Sequence, residues 1–237
     1  MKWFWPLICI MLIAVICQPA FCTIPSFRGY TGLMVIPTAD ALGKGEWNAG
    51  LFLENVASET INDVVVNYGL ARGLEFGIDR FQLHGDDEDE EHHFDTGHRT
   101  LLNAKYRFMP ETATHPAIAA GIADITDEIE TTVYAVASKS FGCSLRAWQG
   151  EYLTPRVHVG FGGGRLSGLF AGASAYIGNR VQLMAEWDSK DTNVGIRWRV
   201  TREFTIHGGG FNLTDRQDDP FSTGASFGVG ASWQTIY

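Results

Sequence analysis

Alternation of apolar residues with small or polar residues, repeated along most of the chain, is the feature that most constrains this sequence. From Trp47 onward about twelve segments alternate in this way, and a period of two is typical of a β-strand whose two faces differ. We find no convincing helical stripe longer than two turns, so the chain is predicted to be almost entirely β. The candidate strands are 47–53, 64–70, 74–80, 101–108, 117–124, 131–139, 156–162, 168–177, 181–188, 193–200, 204–211 and 223–237.

The two faces of these segments differ in chemistry. In segment 181–188 one face is apolar, and the other carries Gln182, Met184, Glu186 and Asp188. In lipid every backbone N–H and C=O needs an internal partner, so an all-β chain crosses a membrane only as a closed barrel. We therefore predict an all-β transmembrane antiparallel up-and-down barrel of about twelve strands, with ten or fourteen left open. A secreted β-sandwich also alternates, and it remains the soluble alternative.

The first residues have the composition of an export signal. Lys2 precedes an apolar run from Trp3 to Cys17, and small residues follow at Ala20 and Cys22. We expect cleavage after Cys22, which divides the chain into a signal peptide (1–22), an N-terminal periplasmic entry segment (23–45) and an outer-membrane β-barrel (46–237). A membrane anchor and a lipoprotein modified at Cys17 or Cys22 are the alternatives.

The connections between the candidate strands tend to alternate in length. With both barrel ends on the periplasmic side, the short turns at 71–73, 179–180 and 201–203 fall in the periplasm, and the long loops at 82–97 and 212–222 fall outside. The stretch 140–155 does not fit, because it is a long connection on the periplasmic side. Either that loop is real or the strand count is wrong by one hairpin.

The last strand carries the most specific local pattern. One of its faces ends in aromatic Tyr237 after Phe227, Val229, Ala231 and Trp233. Such an ending resembles the C-terminal recognition strand of bacterial outer-membrane barrels. It implies the barrel-assembly machinery as a partner, beside outer-membrane lipid and lipopolysaccharide.

Charge and motif order argue against several other functions. The formal net charge of −9 makes nucleic-acid binding improbable. The stretches 207–210 and 224–228 match hydrolase motifs, but no Asp, Glu or His follows Ser226, so we predict no catalytic residue, cofactor or metal. The acidic run Asp86 to Glu91 is expected to be a solvated loop, with cation binding left open.

Charged residues on the inward face are the candidate functional set. These are Lys105, Arg107, Arg156, Glu186, Asp188, Arg197 and Arg199. A turn centred on Lys190–Asp191 would place Asp188 opposite Asn193 and Arg197 diagonally within reach of Glu186. The resulting ion pairs either brace and plug the barrel or line a charge-selective pore.

Three stretches resemble one known family. Residues 29–40 (GYTGLMVIPTAD) are similar to the entry motif of the YjbH-type outer-membrane proteins, and residues 68–77 and 185–199 are also similar to that family. The resemblance implies a non-enzymatic outer-membrane barrel in a Gram-negative bacterium that assists exopolysaccharide secretion or surface assembly, with polysaccharide as a partner. This chain is far shorter than the better-known members. A narrow porin-like solute pore, a structural barrel and an enzyme that modifies lipid A are the alternatives.

Overall fold

The computed structural model describes residues 23–56, 59–84, 97–141, 145–146, 152–178, 180–214 and 224–235. These residues form one antiparallel sheet closed into a barrel of twelve crossing strands, which confirms the predicted fold class. The strands are β1 (Trp47–Val56), β2 (Glu59–Ala71), β3 (Leu74–His84), β4 (His98–Met109), β5 (Ala117–Ala123), β6 (Thr132–Ser140), β7 (Leu145–Arg146), β8 (Tyr152–Gly162), β9 (Gly168–Ile177), β10 (Val181–Trp187), β11 (Thr192–Arg199), β12 (Phe204–Phe211) and β13 (Ser226–Gln234).

Each crossing strand pairs with its sequence neighbours, and two further pairings close the barrel. β1 pairs with β13, and β6 pairs with β8. β7 is a two-residue segment that pairs with β8 and does not cross. Since β6 and β8 pair directly, no hairpin that crosses the barrel was missed between them.

The outward face of the barrel is apolar, as the alternation predicts. Val64, Val66 and Tyr68 of β2 are exposed, whereas Asp63, Val65 and Asn67 between them are buried. Five aromatic residues near the strand ends at the rim where β1 begins are also exposed: Trp47, Tyr106, Phe108, Trp198 and Trp233. An apolar outer belt with aromatic residues at its edge is the surface of a transmembrane barrel. In the described chain, no helix has the length and hydropathy needed to cross a bilayer.

The segment before β1 fills the interior of the barrel. We call residues 23–46 the plug. Nine of its apolar residues are at most 5% exposed: Ile24, Phe27, Tyr30, Leu33, Met34, Ile36, Ala39, Ala41 and Leu42. Six of them form the main buried cluster together with inward residues of the wall: Phe27, Tyr30, Leu33, Met34, Ile36 and Ala39. The sequence predicts a periplasmic entry segment at 23–45, ahead of the barrel. The structure places it inside, because the lumen buries apolar side chains that the periplasm would leave in water.

Glycines on the inward face of the wall make room for the plug. A Cβ on Gly69 would overlap the carbonyl oxygen of Gly43, and one on Gly195 or Gly209 would overlap the Met34 side chain. Gly208 points the other way, and only Ile196 comes within 4 Å of a Cβ built there. The glycine-rich inner face is therefore the surface against which the plug packs.

Candidate functional site: the plugged lumen

Arg197 of β11 binds the plug backbone at three carbonyl oxygens. Its guanidinium donates to the carbonyl oxygens of Pro25 (3.1 Å), Gly32 (3.0 Å) and Leu33 (2.7 Å). It also donates through Nε to Nδ1 of His207 (3.2 Å). Five fixed donors suit arginine to this task, since several carbonyls meet at one point.

Glu186 of β10 binds the next turn of the plug. It is 3% exposed and accepts hydrogen bonds from the amides of Met34 (3.2 Å), Val35 (2.6 Å) and Ile36 (3.4 Å). A buried carboxylate is stabilised when backbone N–H groups converge on it in this way. Arg197 and Glu186 therefore hold the same short plug segment through its carbonyls and its amides respectively.

Arg156 of β8 holds the plug by an ion pair. It contacts both carboxylate oxygens of Asp40, one of them at 2.9 Å, and it lies 3.2 Å from Glu111 in the β4–β5 loop. Burial alone would raise the pKa of the Asp40 carboxyl, but the Arg156 guanidinium outweighs it and lowers that pKa to about 2. Asp40 therefore stays ionised, and the pair stays intact, at any pH near neutrality.

Lys105 of β4 is the fourth of the predicted residues that bind the plug. Its ammonium group donates to the carbonyl oxygen (2.9 Å) and the hydroxyl of Thr31, and it lies 3.5 Å from Glu75 on β3. Glu75 in turn accepts a hydrogen bond from the Leu42 amide (3.1 Å). Two neighbouring wall strands thus hold both ends of the segment from 31 to 42.

The other three predicted residues do not bind the plug directly in any described contact. Arg107 is partly exposed near the C-terminal end of β4. Arg199 lies over the ring of Tyr176, 5.8 Å from its centroid. Asp188 accepts hydrogen bonds from the amides of Lys190 (3.1 Å) and Asp191 (2.9 Å), so it orders the β10–β11 turn.

The expected pairing of the β10–β11 hairpin is wrong, because each β10 residue pairs with a β11 residue two positions earlier than predicted. Glu186 pairs with Asn193, and Gln182 pairs with Arg197, so Arg197 does not lie beside Glu186. The turn comprises residues 188–191, closed by a hydrogen bond from the Asp188 amide to the Asp191 carbonyl oxygen (3.1 Å). Capping by Asp188 moves the turn one residue earlier than the sequence pattern suggested.

Most of the inward charges are separated along the barrel axis. Lys105, Arg156 and Arg197 lie within four residues of the strand ends at the rim where β1 begins, whereas Glu54, Asp63, Asp79 and Glu186 lie at least five residues away. Glu75 is the exception, because it lies one residue from the same rim, where it pairs with Lys105. The plug carries matching charges, since Arg28 contacts Glu54 (2.8 Å) deeper in the barrel and Asp40 contacts Arg156 nearer that rim. Electrostatics therefore favours one orientation of the plug in the lumen.

An aromatic cluster that sequence reasoning missed supports the tip of the plug. Phe27 of the plug packs on Phe52 of β1 and Phe211 of β12, with ring centroids 4.4 and 5.1 Å apart. Both wall rings point inward, which is unusual for a lumen expected to be polar. In the sequence, Phe52 and Phe211 interrupt the polar pattern of the inward face. This interruption was the available signal for an apolar partner inside the barrel, because inward aromatic rings need one.

The lumen histidines are engaged in the packing. His158 and His207 are each 1% exposed. Nε2 of His207 lies 2.7 Å from the Ser232 hydroxyl, and Nδ1 of His158 lies 2.8 Å from the Ser138 hydroxyl, which also accepts from the Ala39 amide (2.9 Å). Both rings face the interior and not the lipid, where a lipid-modifying site would need them.

Little free space remains between plug and wall at one described site. A cavity of about 20 Å³ is lined by residues that include Asp40, Arg156, His158 and Arg197. That volume accommodates about one water molecule.

Several sequence predictions lie outside the described residues: the signal peptide at 1–22, the acidic run Asp86 to Glu91, and Tyr237.

Comparisons with known proteins find the fold again but no family. No protein-family model matches the chain, and no curated protein does. Among solved structures, the chain is similar to the KdgM porin, with a TM-score of 0.50, 9% identity, and coverage of 80% of this chain and 99% of that one. The NanC porin (TM-score 0.48, 10% identity, 80% and 100% coverage) and an outer-membrane channel from Pseudomonas putida F1 (0.47, 10%, 83% and 98%) also match. The chain therefore shares the barrel fold of an outer-membrane porin, with its lumen filled by its own N-terminal residues.

Proposed function

We propose that the protein is a non-enzymatic outer-membrane channel that its own plug closes at rest. The observation that carries the proposal is that the barrel closes without the plug. All twelve crossing strands pair with one another, and most described contacts between plug and wall are made by side chains of the wall. Among the described residues, backbone-to-backbone hydrogen bonds join the plug to a wall strand only at its end. There the Gly45 amide donates to the Gly69 carbonyl oxygen, and the Gly69 amide donates to the Glu46 carbonyl oxygen. Such an element is able to leave while the barrel stays intact.

The polar wall supports a channel over a purely structural barrel. A barrel that never opens has no use for buried charges, since apolar residues of similar volume fill a core at lower cost. Here Arg197, Glu186, Arg156 and Lys105 face a plug whose carbonyls, amides and carboxylate satisfy them. In an open lumen, water or a polar solute would satisfy the same four groups.

A disulfide between plug and wall tests whether the plug moves. Because the Ala39 amide lies 2.9 Å from the Ser138 hydroxyl, we expect cysteines at these positions to join when Ala39→Cys and Ser138→Cys are combined in a Cys143→Ser chain beginning at Thr23. In planar bilayers the oxidised protein should lose the voltage-driven openings of the parent chain, and reduction should restore them. Equal conductance before and after reduction, or a parent chain that never opens, would favour a structural barrel.

We further propose that the transported solute is a surface polysaccharide. The support is the resemblance to the YjbH-type proteins, because its entry motif at 29–40 is the central part of the plug that Lys105, Glu186, Arg156 and Arg197 hold. A narrow pore for small solutes is the alternative.

Surface polysaccharide yield tests this finer role. Deleting the gene is expected to lower the yield, and the parent gene should restore it. The gene carrying Ala39→Cys and Ser138→Cys should fail to do so under oxidising conditions, since its plug cannot leave. An unchanged yield in the deletion strain would contradict the polysaccharide role but leave the channel untouched.

A further inference from the structure

The tip of the β8–β9 hairpin, residues 163–167, turns into the lumen. It contains the short 3₁₀ helix Gly164–Leu166. The Arg165 amide donates to the hydroxyl of Thr132 (3.0 Å), a buried residue at the start of β6. Leu166 is 3% exposed and belongs to the main buried cluster, which includes plug residues. The hairpin tip is therefore part of the filled lumen.

Arg165 carries a positive charge from this tip across the lumen. Its charge acts on Asp63 of β2 and Asp79 of β3. Three strands, β4, β5 and β6, separate β3 from β8 in the sheet, so the Arg165 side chain reaches toward a distant part of the wall. Its charge also acts on Arg28 and Tyr30 of the plug. A residue of the wall thus places a guanidinium beside the plug.

Three carboxylates, which we call the acidic cluster, lie together on that part of the wall. Glu54, Asp63 and Asp79 are 2%, 3% and 4% exposed. Asp63 pairs with Phe52 on β1 and with Phe81 on β3, so Glu54 and Asp79 are its diagonal neighbours on the two adjacent strands. Oδ1 of each aspartate accepts no hydrogen bond from a described residue. Buried carboxylates in this arrangement need cations nearby.

Two arginines, one from the plug and one from the wall, supply positive charge to the acidic cluster. Arg28 of the plug contacts Glu54 at 2.8 Å, and its charge acts on both aspartates as well. Arg165 acts on all three carboxylates and repels Arg28. Asp124 adds negative charge near Asp79, although three backbone amides hold its carboxylate. Two cations therefore share three carboxylates in the plugged lumen.

Exit of the plug would remove only one of these arginines. Arg28 would leave with the plug, whereas Arg165 would stay between β8 and β9. We propose that Arg165 is the counter-charge that replaces Arg28 at the acidic cluster when the lumen opens. In the plugged state Arg165 weakens the hold on Arg28, and in the open state it keeps the three carboxylates from lacking a cation. The inference rests on the proposed exit of the plug, and it makes Arg165 a residue that favours opening.

Labelling of a buried plug cysteine measures plug exit without any ion flow. Ala39 is 0% exposed, so a polar thiol reagent should reach Ala39→Cys only when the plug moves, in the Cys143→Ser chain beginning at Thr23. Arg165→Gln should slow the labelling about tenfold, because Arg28 then has the acidic cluster to itself. Arg28→Gln should speed the labelling by a similar factor.

A charge-matched control and a double variant separate this role from a general effect of charge. Arg202→Gln removes the same charge from the exposed β11–β12 turn and should leave the labelling rate unchanged. In the Arg165→Gln chain, Arg28→Gln should speed labelling by a larger factor than in the parent, since the two arginines share the same carboxylates. Arginines with separate structural roles would instead act independently.

Thermal stability without the plug is the second measurement. In a chain that lacks residues 24–42, Arg28 is gone and Arg165 alone of the two arginines remains. Arg165→Gln should therefore lower the unfolding temperature of the heat-modifiable gel band further in the shortened chain than in the full mature chain. An equal shift in both chains would contradict the proposed replacement.

The labelling outcomes also separate this inference from the channel itself. Faster labelling in Arg165→Gln would overturn the inference, because the hairpin tip would then be a latch that holds the plug. Independent effects of the two substitutions, or a parent cysteine that is never labelled, would overturn it as well. A parent that is labelled but does not conduct would contradict the proposed channel and leave the role of Arg165 standing.

Discussion

Deleting residues 24–42 should convert a closed barrel into a conducting one. The deletion removes the apolar side chains that fill the lumen and the groups that Arg197, Glu186, Arg156 and Lys105 bind, while every strand pairing of the barrel remains. A lumen bounded by twelve strands lies between the filled eight-stranded barrels and the open sixteen-stranded ones. We expect single-channel conductance in planar bilayers to rise by at least an order of magnitude.

The parent chain, reconstituted in parallel, is the control for this deletion. The heat-modifiable gel shift must first show that the shortened chain forms a compact barrel. Loss of the plug exposes inward rings such as Phe52 and Phe211 to water, so the unfolding temperature should fall. A folded but silent barrel would show that the lumen is not a path for ions, and the channel proposal would fail.

Replacing Gly69 by valine should displace the plug while keeping the chain length. A Cβ at this position overlaps the Gly43 carbonyl oxygen, a backbone atom that cannot rotate away. Overpacking of this kind costs about 1 to 3 kcal/mol. Displacement of the plug around Gly43 removes the overlap most easily, because strand pairing holds Gly69 of β2 in place. We expect Gly69→Val to conduct where the parent is closed, and protease to cleave within residues 23–46.

Gly208→Val is the matched control. Gly208 is also a strand glycine, but it faces outward, and a Cβ added there would lie 3.7 Å from the Ile196 side chain, an ordinary van der Waals distance. The control should remain closed and resist protease. If Gly69→Val also stays closed with a protected plug, then the close packing of plug against wall does not hold the lumen shut.

Strand positions and facing were predictable because they depend on neighbouring residues. Alternation located all twelve crossing strands, and parity placed residues such as Arg156 and Arg197 on the inner face. The hairpin register was missed because one side chain, Asp188, sets the turn. Alternation with a period of two shows which residues share a face, but it does not show at which residue a hydrogen-bonding side chain ends the strand and starts the turn.

The plug could not be predicted by the same reasoning. Residues 23–46 have no regular period, and their partners lie far away in sequence: Val35 binds Glu186 across 151 positions. The inward glycines and inward phenylalanines were visible in the sequence, but their meaning depends on knowing which segment packs against them. Three-dimensional packing, not local pattern, decides that the lumen is filled.

The plug continues directly into β1 at Trp47, so its exit would not be an ordinary dissociation. An expelled segment stays tethered at the mouth, where its effective concentration remains high and does not depend on how much protein the membrane holds. Reclosure is then a first-order event, and the open lifetime is an intrinsic property of each molecule. A stimulus that opens the barrel must act continuously, because dilution cannot keep a tethered inhibitor away.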